Sequence, residues 1–326
     1  MKNITYSKNV FIPLTTVCRN DCGYCHFKDP LNQANIMSFS KLRSRLKQAK
    51  RAGCTEVLFT CGSQPEEVAG FSDELYRQTG FDSWISFVIA VCREALRHGL
   101  LAHSNIGVVS KSDLQRLADY NASLGLMLET TADVEAHQYS STKSFSVRRD
   151  LIAMAGQLKI PFTSGLLLGI GESRADRRES LEELKKLAEE YGHLQEVILQ
   201  PVLPPANSKL TKPRLEVVAD TVQLAADILP EDVAIQVPPN LVDLKAVVDV
   251  IDDIGGISPV TDDYINPSHQ WPKIRELEAE FKGVEFKERL PIYPQYLNQE
   301  WVRAAVWKCL QSEEFIYGYK EKRNFN

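Results

Sequence analysis

Cys18, Cys22 and Cys25 stand in the spacing C-x3-C-x2-C. Three thiolates so placed can hold three irons of a 4Fe–4S cluster and leave the fourth iron open. An iron with a free position can bind and reduce a small molecule, whereas a fully ligated cluster only passes electrons. Chemistry of that difficulty belongs to the cofactor, and the protein supplies position and exclusion. A structural zinc ion is the competing reading, with His26 completing a set of three cysteines and one histidine. His26 directly follows Cys25, however, so two adjacent side chains would have to grip one metal. Buried, unligated thiols are a third reading, disfavoured by the polar, turn-like residues between them (Arg19, Asn20, Asp21, Gly23).

The rest of the chain must position such a loop. Its 326 residues are enough for a large core, and the net charge of −5 gives no reason to expect nucleic acid or an anionic membrane as partner. Seven cysteines, three clustered and the others scattered, do not read as a disulfide framework. The N-terminus lacks the apolar region of a signal peptide, and no run of about twenty apolar residues could span a bilayer. The expectation is a soluble, cytoplasmic protein in a reducing compartment.

Short apolar runs alternate with longer amphipathic ones, the pattern of repeated βα units around a parallel sheet. Strands are expected at 9–13, 56–60, 101–105, 123–128, 162–168, 194–200 and 234–237, with a weaker eighth at 254–257. Helices are expected at 40–51 (Ser40 as N-cap, Gly53 as stop), within 83–98, and at 111–120, 145–158, 174–191 and 215–229. This is an α/β fold, a (β/α) barrel complete or nearly so over 1–257. Residues 258–326 form a C-terminal capping extension packed on it as one structural unit. The Pro- and Tyr-rich stretch 258–296 reads as an ordered cap, because Tyr264, Trp271, Tyr293 and Tyr296 call for burial.

In such a barrel the chemistry lies at the C-terminal ends of the strands, and the cysteine loop follows the first strand. Position alone then nominates Thr60, Cys61, Gly62 and Ser63 after strand two, His103 and Asn105 at strand three, and Glu129 at strand four. Gly169 and Glu172 follow strand five, Gln200 ends strand six, and Asn240 follows strand seven. For Cys61 an inert strand-end thiol is the preferred reading, and Cys54, Cys92 and Cys309 read as core residues.

The cysteine spacing is the one used by radical S-adenosylmethionine (SAM) enzymes, in which the open iron chelates SAM and an injected electron yields the 5′-deoxyadenosyl radical. Longer blocks are more specific. Asn9-Val10-Phe11-Ile12-Pro13-Leu14 leads into the cysteines; Asn121-Ala122-Ser123-Leu124-Gly125-Leu126-Met127-Leu128-Glu129 and Ile160-Pro161-Phe162-Thr163-Ser164-Gly165 follow. Gln195-Glu196-Val197-Ile198, Gly255-Gly256-Ile257-Ser258-Pro259-Val260-Thr261, Asp263-Tyr264-Ile265-Asn266-Pro267 and Arg289-Leu290-Pro291-Ile292-Tyr293-Pro294 complete the set. Together they resemble the radical SAM subunit of 7,8-didemethyl-8-hydroxy-5-deazariboflavin (FO) synthase, the CofG family, over almost the whole chain.

The resemblance implies a lyase that closes the central deazaflavin ring from a 4-hydroxybenzyl–ribityluracil adduct, with release of ammonia, toward coenzyme F420. It implies a 4Fe–4S cluster and SAM as cofactors, the second synthase subunit CofH as partner, and an electron donor such as ferredoxin or flavodoxin. Cys18, Cys22 and Cys25 would ligate the cluster. Tyr24 would lie near the adenine or simply pack the loop; Glu129 would accept from the ribose hydroxyls. Arg148, preceded by Lys143, would pair with the SAM carboxylate, while one of Arg148 and Arg149 is only a solvated helix charge. Gly62 and Ser63 would receive the SAM ammonium through backbone carbonyls, and Gly169 would let backbone approach the adenine. For substrate, Asn105, Gln200 and Asn240 offer neutral polar groups, Asp263 and Tyr264 could cover the mouth, and His103 is the candidate proton acceptor.

Three places depart from the family pattern: Ser63 where Glu is usual, Cys61 where Phe is common, and 201–209. The alternatives are another radical SAM enzyme acting on an aromatic or amino-acid substrate, of the partner-subunit or menaquinone-pathway type, or a non-enzymatic iron–sulfur or zinc protein.

Overall fold

The computed structural model describes residues 1–206 and 208–312, together with the backbone of Phe315–Ile316 and Tyr319–Lys320. The order is β1 (Lys2–Thr15), α1 (Phe39–Arg51), β2 (Glu56–Cys61), α2 (Phe71–Thr79), α3 (Trp84–Arg97), β3 (Leu101–Asn105), α4 (Lys111–Ala118) and β4 (Ser123–Gly125). It continues with α5 (Phe145–Gln157), β5 (Phe162–Leu168), α6 (Arg174–Tyr191), β6 (Leu194–Pro201), α7 (Leu215–Ile228), β7 (Ala234–Gln236) and β8 (Asp253–Ile257). After these come α8 (Ile274–Glu280), β9 (Val284–Arg289) and α9 (Ala304–Ser312).

β1 to β8 pair in parallel and in sequence order, and β1 pairs with β8, so the barrel is closed. Every residue of β5 is buried, as expected where a parallel strand is covered on both faces. The helices turn one apolar stripe inward: α1 buries Leu42, Leu46 and Ala49 at helical spacing. α6 starts on a Ser173–Asp176 capping box and stops at Gly192 in the left-handed region.

Three local expectations are corrected. The N-cap of α1 is Ser38, not Ser40: its extended backbone (ψ 149°) points Oγ at the Lys41 N–H, while Ser40 already lies in the first turn. An additional helix, α2, fills the connection after β2, where its short length and glycine flanks give little periodic signal. β4 ends at Gly125 rather than 128, although Leu126 N–H and Glu129 N–H still donate to Thr163 and Gly165 carbonyls of β5.

The C-terminal segment serves both ends of the barrel. Leu290, Ile292, Tyr296, Val306 and Leu310 pack on Leu101 and Ala122 beneath the starts of β3 and β4. Full burial of Leu290 and Ile292 contributes about 1.5–3 kcal/mol each. Asp263, Asn266 and Trp271 turn the other way and line the cavity. Tyr264 is 39% exposed and leans on the Phe11 ring at 5.8 Å, so the expectation of burial fails for that aromatic. The part of the extension from 313 onward, apart from the four backbone positions above, and Asn207 within 201–209 lie outside the described residues.

Candidate active site

A cavity of about 380 Å³ runs down the barrel from the C-terminal ends of the strands, and Cys18, Cys22 and Cys25 all line it. Their loop is clamped to the end of β2. The Ser63 N–H donates to Cys18 Sγ at 3.2 Å, and Arg19 N–H donates to the Ser63 carbonyl at 3.0 Å. A Cβ at Gly62 would lie 2.0 Å from the Val17 carbonyl oxygen, so only glycine permits this approach. Ser63 Oγ and Asn20 Nδ2 both meet Thr142 Oγ1, at 3.0 and 2.6 Å. Phe27 N–H donates to Cys25 Sγ at 3.3 Å, and Ser140 Oγ lies 3.2 Å from Cys22 Sγ.

This donor set fits an iron–sulfur cluster. Hydrogen bonds to the sulfurs are among the features that tune such centres, and Cys18 and Cys25 each accept one from a backbone N–H. Burial pushes the Cys18 and Cys22 thiols up, and Lys143 opposes that at both sulfurs. The zinc arrangement is not formed: His26 Nε2 sits 3.0 Å from the Leu203 carbonyl oxygen, on an exposed residue. No three His, Cys, Asp or Glu side chains among the described residues are grouped to hold one metal ion. Cys61 also lines the cavity, but its thiol points at the Ile106 carbonyl oxygen at 3.6 Å and burial pushes its pKa well up.

Glu129 is the hub of the upper wall. Its backbone sits at φ +69°, a conformation that non-glycine residues adopt only when their surroundings enforce it. The enforcing bonds are Glu129 N–H to the Gly165 carbonyl (2.9 Å) and Leu167 N–H to the Glu129 carbonyl (3.1 Å). The carboxylate accepts from Tyr24 Oη and Lys143 Nζ, meets His137 Nε2 at 2.9 Å and lies 3.5 Å from Arg148 Nη2. Burial alone would raise its pKa, but Lys143 and Arg148, then His137, hold it well below the usual carboxylate range. Arg148 gives Nη1 to the Met127 carbonyl, and its buried Nε has no partner among the described residues. Arg149 pairs outside with Glu183 at 2.7 Å, so of the two arginines it is the surface charge.

Of the other sequence candidates, Tyr24, Asn105 and Gln200 line the cavity, as does His103. His103 Nδ1 meets Ser123 Oγ at 2.7 Å, and burial, with Arg289 below, drives its pKa down to about 3. The ring therefore rests neutral at pH 7 on the cavity wall. Asn240 and Gly169 are not brought to the cavity wall. Asn240 Nδ2 instead ties the loop after β7 to the covering segment, donating to Asp263 Oδ2 (3.0 Å) and the His269 carbonyl (3.1 Å). Gly169 (φ +91°) leaves room for Pro213, whose Cδ would be 2.8 Å from a Cβ there. Glu172 clasps the same turn by accepting from Gly169 and Ile170 N–H.

Several site residues escaped the sequence reading. His137, Ser140 and Thr142 lie in short turns with no periodic pattern. Glu56 opens an otherwise apolar strand and faces inward to the floor, beside Glu196. Such a charge in a buried strand was the available signal. Arg289, from the end of β9, enters from below and pairs with Asp253 (2.6 Å) and Glu196 (2.7 Å).

Comparison with known proteins now bears on this arrangement. The sequence model of the Radical SAM superfamily matches residues 12–184. The 7,8-didemethyl-8-hydroxy-5-deazariboflavin synthase of Methanosphaerula palustris is 50% identical over 313 residues, covering 95% of each chain. The chain belongs to the radical SAM superfamily and, within it, to the FO synthases. The synthases of Methanosarcina mazei (44% identical, covering 98% of this chain and 97% of that one) and Halobacterium salinarum (42%, covering 95% and 87%) agree. Among solved structures, methylornithine synthase PylB superposes with a TM-score of 0.64 at 17% identity, covering 86% of this chain and 82% of that one. The maturase HydG from Carboxydothermus hydrogenoformans superposes at 0.67 and 18%, covering 89% and 68%. Both show the fold. As an FO synthase the chain is a radical SAM enzyme, and the superfamily's cofactors are SAM and a 4Fe–4S cluster. No helix among the described residues is long and apolar enough to cross a membrane.

Proposed function

We propose that the chain closes the central ring of the deazaflavin from a 4-hydroxybenzyl–ribityluracil adduct, with release of ammonia, acting with a CofH-type subunit and a low-potential electron donor. The observation that carries this reading is one cavity receiving the three thiols at its mouth, the Glu129 array on its wall and a polar floor beneath. When bound, the cluster supplies the electron that cleaves SAM to the 5′-deoxyadenosyl radical.

The chain's own groups hold and orient. Cys18, Cys22 and Cys25 hold one iron each, and Gly62 with Ser63 fixes their loop and offers backbone to the SAM ammonium. Tyr24 packs beside the adenine. Glu129, kept ionised by Lys143 and Arg148, accepts from the ribose hydroxyls, and Arg148, on the same wall, serves the SAM carboxylate. Asn105 and Gln200 bond the substrate, and His103, neutral at rest, is placed to take up a proton as the ring aromatises. Asn240 acts at one remove, by holding the cover that excludes water, and Gly169 by shaping the turn after β5.

The test is anaerobic: reconstituted protein, dithionite, SAM and the adduct, analysed for 5′-deoxyadenosine and fluorescent deazaflavin. Both products are expected. Deoxyadenosine without deazaflavin would move the substrate elsewhere, with Ser63 and the segment 201–209 the first places to look.

A further inference from the structure

The floor of the cavity holds open hydrogen-bonding groups that none of the roles above uses. Asn9 is 1% exposed and lines the cavity, and its Oδ1 has no partner among the described residues. Glu56, its register partner on β2, also lines the cavity and among the described residues is bonded only by Ser7, through one carboxyl oxygen. The neighbouring acids are already satisfied: Glu196 takes Thr163, Arg289 and Tyr293, and Asp253 takes Arg289 twice. Gln236 lines the same space with no bond to its side chain among the described residues.

Two glycines of β8 make this arrangement possible. A Cβ at Gly256 would lie 2.1 Å from Asn9 Nδ2, and one at Gly255 would lie 2.3 Å from Gln236 Nε2. Any side chain at either position would push an amide out of place. The strand thus gives up packing at both positions to seat two amides at the bottom of a barrel. Buried amides with free valences lose stability unless something bonds them.

Resting on the ring-closure reading, we propose that Asn9, Glu56 and Gln236 form the subsite that binds the hydroxyls of the substrate's polyol tail. The waist above them is apolar, with Phe11, Leu58 and Ile198 lining it, and suits the ring system. Below it, the amides of Asn9 and Gln236 and the Glu56 oxygen that Ser7 leaves free line one polar floor, which calls for a ligand with several hydrogen-bonding groups in a row. A chain of vicinal hydroxyls provides that, whereas a phenol offers one. Burial pushes the Glu56 carboxyl up to about 7, so near neutrality it can donate as well as accept.

The experiment compares the ribityl adduct with an adduct carrying a plain alkyl tail of equal length, using the reconstituted holoenzyme and Asn9→Ala, Gln236→Ala and Glu56→Gln variants. Glu56→Gln keeps the side-chain volume and removes a charge from an acid-rich floor, so it guards against loss of folding. The unmodified enzyme is expected to prefer the polyol adduct by roughly a hundredfold in kcat/KM, since a site built to bond hydroxyls rejects analogues lacking them. In the variants that preference should shrink at least tenfold, chiefly through KM, and equilibrium dialysis of the adducts without SAM should show the same loss. An unchanged preference in all three variants overturns the subsite. So does a defect that persists with the alkyl tail and vanishes when the phenol is replaced by a phenyl ring, which would place the aromatic end at the floor. If the unmodified enzyme makes deoxyadenosine but no deazaflavin from the ribityl adduct, the ring-closure reading falls, and the polyol assignment with it.

Discussion

The backbone N–H of Ser63 donates to Cys18 Sγ at 3.2 Å, so the end of β2 and the first cysteine move as one piece. The joint depends on the bare backbone of Gly62, where a Cβ would stand 2.0 Å from the Val17 carbonyl and 2.5 Å from Cys18 Cβ.

Gly62→Ala should therefore displace the cysteine loop while the barrel beneath stays folded. Iron content after anaerobic reconstitution is expected to drop to less than half of the unmodified value of about four per chain. Cys61→Ala, whose thiol points at a carbonyl instead, should keep its iron. Equal iron loss in the two variants would mean that Cys61, not the glycine approach, governs the site.

Glu129→Gln removes the anion facing Lys143, His137 and Arg148. Leaving buried cations uncompensated is expected to cost about 3–5 kcal/mol of stability and to weaken SAM binding at least tenfold. Arg149→Ala, on the exposed pair with Glu183, should change stability by no more than about 1 kcal/mol. Denaturant titration and equilibrium SAM binding check both.

Two buried groups give stability opposite slopes with pH. His103, at about 3 against a usual 6.5, contributes stability that is present above pH 6.5 and lost as pH falls toward 3, up to about 5 kcal/mol. Glu56, at about 7 against a usual 4.5, contributes stability that is complete below pH 4.5 and lost as pH rises through 7. Burial is the largest cause for Glu56, with Arg289 opposing it and Glu196 and Asp253 adding to it. Glu56→Gln should then be more stable than the unmodified protein at pH 8, by up to about 3 kcal/mol, with the difference closing below pH 4.5. Unfolding curves at the two pH values would refute this if the gap did not depend on pH.

Asn240→Ala cuts two of the bonds that hold the cover, to Asp263 and to the His269 carbonyl. The expected result is a KM for the adduct raised about tenfold, with SAM affinity and iron content unchanged, because Asn240 touches neither the cysteine loop nor the Glu129 array. Steady-state kinetics under saturating SAM decides it.

The barrel was legible because β5, α6 and their like state their period plainly: seven buried residues in a row, then a capped amphipathic helix. The cysteine loop was legible because thiol spacing is itself the chemistry. What the sequence hid were pairings set by tertiary approach. Nothing near His137 says that it will meet Glu129, and the Gly255-Gly256 pair reads as a weak strand until Asn9 and Gln236 are seen filling the space. Asn240 misled for a related reason: its position after β7 was right, but its amide turns to the cover rather than to the cavity.

Arg289 also orders events in time. It is synthesised 93 residues after Glu196 and 36 after Asp253, the two acids it neutralises. At about 5–20 residues per second, Glu196 waits roughly 5–20 s at the ribosome before its counter-charge exists. All eight barrel strands precede Arg289 in the chain, yet until it is made the acids they enclose lack their counter-charge. β1 and β8 pair without β9, so a chain that stops short of Arg289 carries every strand of the barrel but must bury Glu196 and Asp253 without the guanidinium that joins them.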